Sequence, residues 1–362
     1  MLFTATKEEL TSKLKLALSF YKYSQIYHYA NYMELKVVGD ELYLTQSLIL
    51  GKAINTGMLR VKVNGSGSGD GSAMLPSEEL KKHLSLIPDD VVISLENNKV
   101  VFTGSNVLFS IPTVDTEVQP LLLHEYQEAL KGNSYSFDFS KVYGILKTLK
   151  KDVTTNPTDF RLMAYYVGED DSYSTNGIRM TKVHDGSNIP SIVFPQVMYD
   201  VFRELDKTFK DCDYEIYKNT VESIGVESYQ KKVCVLRNTD VDVSFQEWDF
   251  NNGYPIDVIR GRFQGTPDFE TTDMSILQHI IDIGKVSTII AVDFMNGKIS
   301  GVRSGAEIYI EKQNLPIFYL NNATLPSAKD VEEYHTIKVI ENTMLILEGN
   351  DKSISLALME AN

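Results

Sequence analysis

The 362-residue sequence has little cysteine and no long hydrophobic run, and each absence excludes a class of protein. Its two cysteines, Cys212 and Cys234, cannot cross-link a chain of this length, so we expect reduced thiols in a cytoplasmic protein. No apolar run approaches the length that spans a bilayer, which predicts a protein without a membrane partner. The segment Met1–Lys7 lacks a basic start followed by an apolar stretch, so we expect no signal peptide.

Catalytic and metal-binding motifs are also missing. The six histidines form no HxH or HExxH spacing and none lies near a cysteine pair, so we expect no zinc site. The glycine-rich segment Gly65–Gly71 lacks the Lys-Ser/Thr of a phosphate-binding loop. No GxSxG sequence is present, and His184-Asp185 and Asp170-Asp171 are typical of solvated turns. The sequence therefore predicts a protein that is not an enzyme and that uses no metal and no cofactor.

Positive charge is scarce as well, because 49 acidic residues outnumber 35 Lys and Arg residues and give a net charge of −14. An evenly spread negative charge would argue against binding to nucleic acid, since contacts to phosphates require Lys and Arg. The position of the basic residues therefore matters more than their number.

Two helix-start signals alternate three times along the chain. In the first signal, a strand ends in a Ser or Thr N-cap that precedes an apolar-periodic helix. This signal occurs at Phe3–Thr6, Phe137–Ser140 and Phe269–Thr272. In the second signal, proline lies at the start of a helix, where its missing N–H costs no hydrogen bond. It occurs at Pro76, Pro195 and Pro326. The spacing gives a repeat of about 130 residues, which is the size of a domain.

Each repeat predicts the order helix, strands, helix, hairpin. In the second repeat, we expect a hairpin between Leu162–Val167 and a strand that runs from Tyr173 to Val183. Two helices that back an antiparallel sheet form a two-layer α+β unit. We therefore predict three α+β domains, at residues 1–124, 125–253 and 254–362, with a polar linker that begins at Thr113.

The solvent sides of the predicted helices carry basic residues within this acidic chain. The helical periodicity places them opposite the apolar faces of four helices in the first two repeats. They are Lys15, Lys81, Lys82, Lys147, Lys151, Arg203 and Lys207. On a single helix, ordinary solvated surface is the better explanation, but repetition over four helices favours a basic face with a binding function. The third repeat does not follow, because Gln278 and Asp282 lie opposite its apolar face.

The threefold order, the acidic total and the basic helix faces resemble the bacterial β sliding clamp, the processivity factor of the replicative DNA polymerase. The opening Met1–Leu10 is similar to the N-terminus of that family. Ser174–Met180 is similar to the family's Thr-Asp-Gly-His-Arg-Leu segment, and Gly253–Asp257 resembles its Phe/Tyr-Pro-Asp segment at the boundary of the second and third domains. The resemblance covers the whole chain in order, and the threefold register carries more of it than any single motif.

The resemblance implies three clamp-type domains and a homodimer in which two chains close head to tail into a ring. Double-stranded DNA would pass through the ring and be held by shape and phosphate attraction, without base readout. The dimer contact would join the strand that holds Phe109 and Ile111 to the third domain of the other chain, near Ile280 and Ile281. The free sheet edges at the two ends of a three-domain array favour the same closure.

The resemblance further implies that the DNA polymerase and the clamp loader insert short peptide motifs into a pocket between the second and third domains. Carried over by position, the pocket residues are Leu162, Thr175, Gly177, Arg179, Met180, Pro255, Ile259 and Met359. The apolar members would form the walls, and Thr175 and Arg179 would be polar guides. Met180 and Pro255 are also compatible with plain core and linker roles.

Three features depart from the family pattern. Asn176 and Ile178 stand where the family has Asp and His, and the sequence ends in Leu-Met-Glu-Ala-Asn rather than in a Met-Pro segment. These departures are typical of a divergent clamp whose partner peptide has an altered sequence. A second hypothesis remains open, namely a monomeric binding or enzymatic protein that keeps the fold and has lost the ring.

Overall fold

A computed structural model describes residues 1–21, 24–25, 28–49, 56–116, 120–154, 162–222, 230–248, 254–315, 317–341 and 343–359. Gly253 and the last three residues, which entered the sequence comparison above, lie outside the described residues. The chain forms two compact units, Met1–Tyr143 with Pro195–Asp249 and Gly144–Phe194 with Phe250–Asn362. Each unit has its own large antiparallel sheet.

The first repeat opens with a strand that runs directly into a helix. Thr6 caps this helix as predicted, because its hydroxyl accepts a hydrogen bond from the Glu9 N–H at 3.3 Å. The elements are β1 (Leu2–Thr6), α1 (Lys7–Ser19), β2 (Tyr32–Val38), β3 (Glu41–Ile49), β4 (Thr56–Val63), β5 (Ser66–Ser68), β6 (Gly71–Pro76), α2 (Ser77–His83), β7 (Asp90–Glu96), β8 (Lys99–Thr103) and β9 (Leu108–Pro112). Short 3-10 helices lie at His28–Asn31 and Leu84–Leu86.

The second repeat follows a helix that the sequence analysis missed, α3 (Pro120–Ala129). The predicted N-cap Ser140 is wrong, because the helix begins at Phe139 and the Asp138 carboxylate accepts from the Lys141 N–H at 2.9 Å. The elements are β10 (Asn133–Phe137), α4 (Phe139–Leu149), β11 (Ala164–Val167), β12 (Ser172–Thr175), β13 (Arg179–Val183), β14 (Ile192–Pro195), α5 (Met198–Phe209), β15 (Tyr214–Glu222), β16 (Gln230–Arg237) and β17 (Val241–Gln246). A 3-10 turn covers Lys150–Asp152.

The predicted single strand from Tyr173 to Val183 is wrong. It is two strands, β12 and β13, that pair antiparallel across a turn, with Thr175 opposite Met180. Gly177 has a φ of +90° in this turn, a conformation that favours glycine. The apolar residues change register between Tyr173 and Ile178, and Asn176-Gly177 is a common hairpin-turn pair, so the sequence did contain a signal for this break.

The third repeat also follows a missed helix, α6 (Ile256–Phe263). The predicted N-cap Thr272 is wrong, because the Asp273 carboxylate accepts from the Ser275 N–H at 3.0 Å. The segment after Pro326 forms a six-residue 3-10 helix, Ala328–Glu333, with a capping box between Ser327 and Asp330. The remaining elements are β18 (Phe269–Thr271), α7 (Ser275–Gly284), β19 (Ile289–Asp293), β20 (Lys298–Gly301), β21 (Glu307–Tyr309), β22 (Phe318–Asn321), a 3-10 turn (Asn322–Thr324), β23 (Thr336–Ile340), β24 (Met344–Glu348) and β25 (Lys352–Ala357).

In the first unit, strands of the first and second repeats join in one eight-stranded sheet of order β10-β15-β16-β17-β4-β3-β2-β6. The junction is the antiparallel pair β4–β17, in which Val61 lies opposite Val241 and Gly57 opposite Phe245. Helix α3 covers one face of this sheet and buries Tyr126 and Ala129 against strand residues. The linker predicted from Thr113 therefore ends in a helix that packs onto the junction.

In the second unit, an eight-stranded sheet has the order β14-β11-β12-β13-β25-β24-β23-β18. Its junction is the pair β13–β25, with Arg179 opposite Leu356 and Val183 opposite Lys352. Two smaller sheets complete the described strands, β5-β1-β7-β8-β9 from the first repeat and β21-β20-β19-β22 from the third. The chain therefore has an α+β fold in which one β/α arrangement occurs three times. Among the described helices, none has the length and apolar character that crossing a bilayer requires.

A buried ion pair fixes α3 to the first large sheet. The Lys231 ammonium on β16 lies 2.8 Å from the Glu125 carboxylate, and only 6% of each side chain is exposed. Two buried opposite charges stabilise a structure little when they are paired, but either one alone is costly.

We expect Lys231→Met to lower the free energy of unfolding by about 3–5 kcal/mol, because Glu125 would stay buried without its cation. Lys131→Met is the matched control, since Lys131 forms an exposed pair with Glu128, and its effect should stay below about 0.5 kcal/mol. Urea unfolding monitored by circular dichroism measures both, and equal losses in the two variants would contradict the assignment.

Candidate functional site

The turn between β12 and β13 has a fixed backbone. The Asn176 side-chain oxygen accepts from the N–H groups of Ile178 and Arg179 at 3.0 and 2.8 Å. The Thr175 hydroxyl accepts from the Gly177 N–H and donates to the Arg179 carbonyl, both at 3.0 Å. A Cβ added at Gly177 would lie 3.5 Å from Leu162, which places Leu162 beside the turn. Thr175 therefore shapes this part of the predicted pocket with its own hydroxyl.

Arg179 is held by groups of the protein itself. Its Nε lies 2.9 Å from the Asp152 carboxylate, and its Nη1 donates to the carbonyls of Thr324 and Leu325 at 3.2 and 3.3 Å. Asp152 is 2% exposed and also accepts from the Thr181 hydroxyl. Burial raises the pKa of Asp152 despite the opposing effect of Arg179. The guanidinium thus ties β13 to the third repeat, and its use as a peptide guide stays a prediction.

The other predicted pocket residues are Met180 on β13, Pro255 and Ile259 at α6, and Met359. Met180 is half-buried on β13 opposite Ser355 of β25. Pro255 precedes α6, whose Ile259 is buried, and α6 packs against β12. Met359 is half-buried and forms a bridge with Tyr319, to whose carbonyl its N–H donates at 2.9 Å. The structure therefore gathers Thr175, Gly177, Arg179 and Met180 on one hairpin, with Leu162 and α6 beside it.

Sequence reasoning missed the residues that fix α6. Arg260 donates to the Tyr166 hydroxyl at 3.1 Å and lies 3.6 Å from the Asp171 carboxylate. Its guanidinium also lies 5.3 and 5.9 Å from the ring centroids of Tyr166 and Tyr173, within the range of a cation–π interaction. The apolar residues Ile256, Ile259 and Phe263, spaced three to four apart after Pro255, were the signal that could have revealed this helix.

The predicted basic residues of the first unit lie on the solvent side of one helical layer, in which α1 contacts both α2 and α5. Lys15 and Lys81 are exposed and form no ion pair with the residues that the structure describes. The other three are paired with carboxylates of their own helix. Lys82 contacts Glu79 and Glu78, Arg203 contacts Asp200 and Glu204, and Lys207 contacts Glu204.

The second unit carries the remaining two predicted basic residues. Lys147 is exposed at the end of α4, and Lys151 lies 3.6 Å from Asp330 of the third repeat. On α7, Asp282 accepts from Gln278 at 3.1 Å and lies 2.7 Å from Lys285. The polar side of α7 is therefore occupied by hydrogen-bonded neutral and acidic groups.

The residues predicted for a dimer contact are mostly buried within the single chain. Ile111, Ile280 and Ile281 are at most 7% exposed, and the last two belong to the core around α7. Phe109 is half-buried and stacks between His83 and Phe102. A contact through these side chains stays a prediction. The exposed apolar side chains of the nearby edge strands are Leu108 on β9 and Tyr309 on β21, at 72% and 75%.

Within the described part of the chain, no three His, Cys, Asp or Glu side chains are grouped so that they could hold a metal ion. The side chains of this region instead form apolar contacts, ion pairs and hydrogen bonds.

We expect Arg179→Met to lower the free energy of unfolding by about 3–5 kcal/mol, because Asp152 would lose its cation while still buried. Lys182→Met on the same strand is the control, since its partly exposed pair with Asp171 at 3.3 Å should contribute less than about 1 kcal/mol. Chemical denaturation distinguishes the two, and an Arg179→Met protein as stable as the control would show that the buried network does not hold the junction.

Comparison with known proteins identifies the fold. No protein-family profile and no curated protein matches the chain. Among solved structures, it is similar to the DNA polymerase III subunit beta from Pseudomonas aeruginosa (TM-score 0.71, 16% identity) and to Caulobacter crescentus pol III beta (TM-score 0.73, 14% identity), each over 100% of both chains. It is also similar to the Helicobacter pylori beta clamp bound to DNA ligase peptide (TM-score 0.68, 12% identity, 99% of this chain and 100% of that one). The chain therefore has the fold of the DNA polymerase III beta sliding clamps.

Proposed function

We propose that this protein is a DNA sliding clamp. Two copies close head to tail into a ring around double-stranded DNA, without sequence specificity, and tether the replicative polymerase and the clamp loader through short peptide motifs. It performs no chemistry of its own. The full-length likeness to DNA polymerase III beta subunits supports this proposal, and the threefold repeat within the chain supports it independently.

A rule of strand pairing carries the proposal. The third strand after the first helix of a repeat pairs with the last strand of the following repeat, as β4 pairs with β17 and β13 pairs with β25. In the third repeat the corresponding strand is β21, and the last strand of the first repeat is β9. Both are edge strands of the smaller sheets. If the rule holds once more, β21 of one chain pairs with β9 of a second chain, and two such contacts close a ring.

The backbone of both edge strands is oriented for this pairing. Hydrogen bonds from Gly104 to Val107 and from Thr113 to Asn98 direct the odd-numbered residues of β9 towards β8. Leu108 and Ser110 therefore direct their N–H and C=O groups outwards. The same alternation on β21 directs Glu307 and Tyr309 outwards, because Gly301 donates to Ala306 and Ile310 donates to Gly297.

In this proposal, duplex DNA lies against the solvent side of the helices. The basic residues proposed to face phosphates are Lys15, Lys81, Lys82, Lys147, Lys151, Arg203 and Lys207. Attraction of Lys and Arg to phosphates is independent of sequence, which suits a protein that slides. The third repeat contributes least, because the polar side of α7 has no excess of basic residues.

Tethering is proposed to occur at the hairpin and α6 of the second unit. A bound peptide raises the local concentration of its parent enzyme to roughly millimolar without any catalytic group on the clamp. One structural neighbour is a beta clamp bound to a DNA ligase peptide, which supports peptide binding as the mode of partner contact. Leu162, Met180, Pro255, Ile259 and Met359 are proposed as apolar walls.

We expect Ser110→Pro to convert a homodimer into folded monomers, because proline removes an outward N–H from an edge strand that tolerates it. Ser110→Ala keeps the N–H and should stay dimeric. Sedimentation measures the mass, and retention on nicked circular DNA compared with the linearised form measures encirclement. A parent protein that is monomeric at micromolar concentration would contradict the ring and favour the monomeric alternative.

We expect a peptide of the Gln-Leu-x-Leu-Phe type, or one from the cognate polymerase, to bind the parent at micromolar strength. Met180→Asp should abolish binding with little effect on dimer mass or thermal unfolding, because Met180 is only half-buried. Met295→Asp, at an exposed methionine outside the proposed pocket, is the matched control and should bind normally. Fluorescence anisotropy with labelled peptide checks both, and a Met180→Asp protein that unfolds would place Met180 in the core instead.

A further inference from the structure

On the solvent side of α2 and α5, three cations, Lys82, Arg203 and Lys207, are already paired with carboxylates of their own helix. On α5, Lys207 Nζ lies 2.6 Å from Glu204 Oε2, and Arg203 Nε lies 3.3 Å from Glu204 Oε1. On α2, Lys82 Nζ lies 2.8 Å from Glu79 Oε1. For Lys207, Glu204 is the sole ion-pair partner among the described residues, whereas Arg203 also contacts Asp200 at 3.1 Å.

These carboxylates are ionised at neutral pH. Partial burial favours the neutral form of Glu204, but hydrogen bonds from Lys207 and Arg203 outweigh it and place the pKa of Glu204 below its ordinary value. The hydrogen bond from Lys82 likewise lowers the pKa of Glu79. Each acid is therefore a full negative charge beside the cation that would meet a phosphate.

We infer that Glu204 competes with DNA phosphates for Lys207, and that Glu79 competes with them for Lys82. These acids therefore lower the affinity of the helical layer for DNA. The inference rests on the proposed function. Glu204 already occupies one of the three N–H donors of Lys207 and remains beside an approaching phosphate as a like charge, which weakens the attraction. Lys15 and Lys81, which form no ion pair with the described residues, then provide the contacts of this layer that meet no such competition.

A comparable pair occurs at the end of α7 in the second unit, where Lys285 lies 2.7 Å from Asp282, whereas Lys151 lies 3.6 Å from Asp330 of a different repeat. The pairing of helix cations with local acids is thus not a peculiarity of one helix. It also explains how an acidic chain can carry basic helix faces without a large excess of positive charge on them.

The matched variants Glu204→Gln and Glu8→Gln test the inference. Both remove one negative charge from the same helical layer, but Glu8 is exposed and forms no ion pair with described residues, so its loss releases no cation. Binding to a short fluorescent DNA duplex is measured over a series of salt concentrations. Glu204→Gln should tighten binding about three- to tenfold at low salt and steepen the salt dependence by about one unit per chain. Glu8→Gln should change affinity less than about twofold and leave the slope unchanged.

Lys207→Gln added to Glu204→Gln should remove the gain, because the released ammonium causes it. Equal effects of Glu204→Gln and Glu8→Gln would overturn the inference, and so would a gain that persists in the double variant. Thermal unfolding and sedimentation verify that every variant is folded and has the parent's mass. If the dimeric parent and all variants fail to bind the duplex at low salt, the proposed function itself is wrong; if the parent binds and only the difference is missing, the inference alone fails.

Discussion

The unpaired backbone groups at sheet edges determine how the repeats of this chain join. An edge strand exposes a row of N–H and C=O groups that must be hydrated, covered or paired. Within each unit, β4 and β13 meet this demand by pairing with the last strand of the following repeat. Strands from neighbouring repeats thereby share one sheet, and separating them would break a complete ladder. The edges of β9 and β21 remain without a partner strand in the described part of the chain.

Much of the fold could be predicted from the sequence, because the strand before the first helix and the proline before the second helical segment occur in each repeat and give the period. Of the three predicted N-caps, only Thr6 is right, since Asp138 and Asp273 replace the other two. The connecting helices α3 and α6 were missed, since each is short and lies in a stretch that also has linker character. Their stability comes from packing against sheets that only exist once the repeats have joined.

The candidate site was predictable in part. The hairpin residues lie together as expected from their order, because Thr175, Gly177 and Met180 belong to one turn and the strands beside it. The commitment of Arg179 to Asp152 and to two carbonyls could not be foreseen, since those partners are distant in sequence. Helical periodicity placed Lys207 and Arg203 on the solvent side correctly. It could not indicate how strongly Glu204 between them would hold both.

The short length of β21 has a consequence for the lifetime of a ring. The junctions β4–β17 and β13–β25 each align five residue pairs, whereas β21 contains only three residues, Glu307–Tyr309. A seam made by β21 would therefore have fewer backbone hydrogen bonds than either junction inside the chain. Its stability would depend more on contacts of side chains such as Tyr309 and Leu108. In the proposed ring, opening would then occur at the seam while every repeat stays folded, and the dissociation rate at this seam would set how long such a ring stays on closed circular DNA.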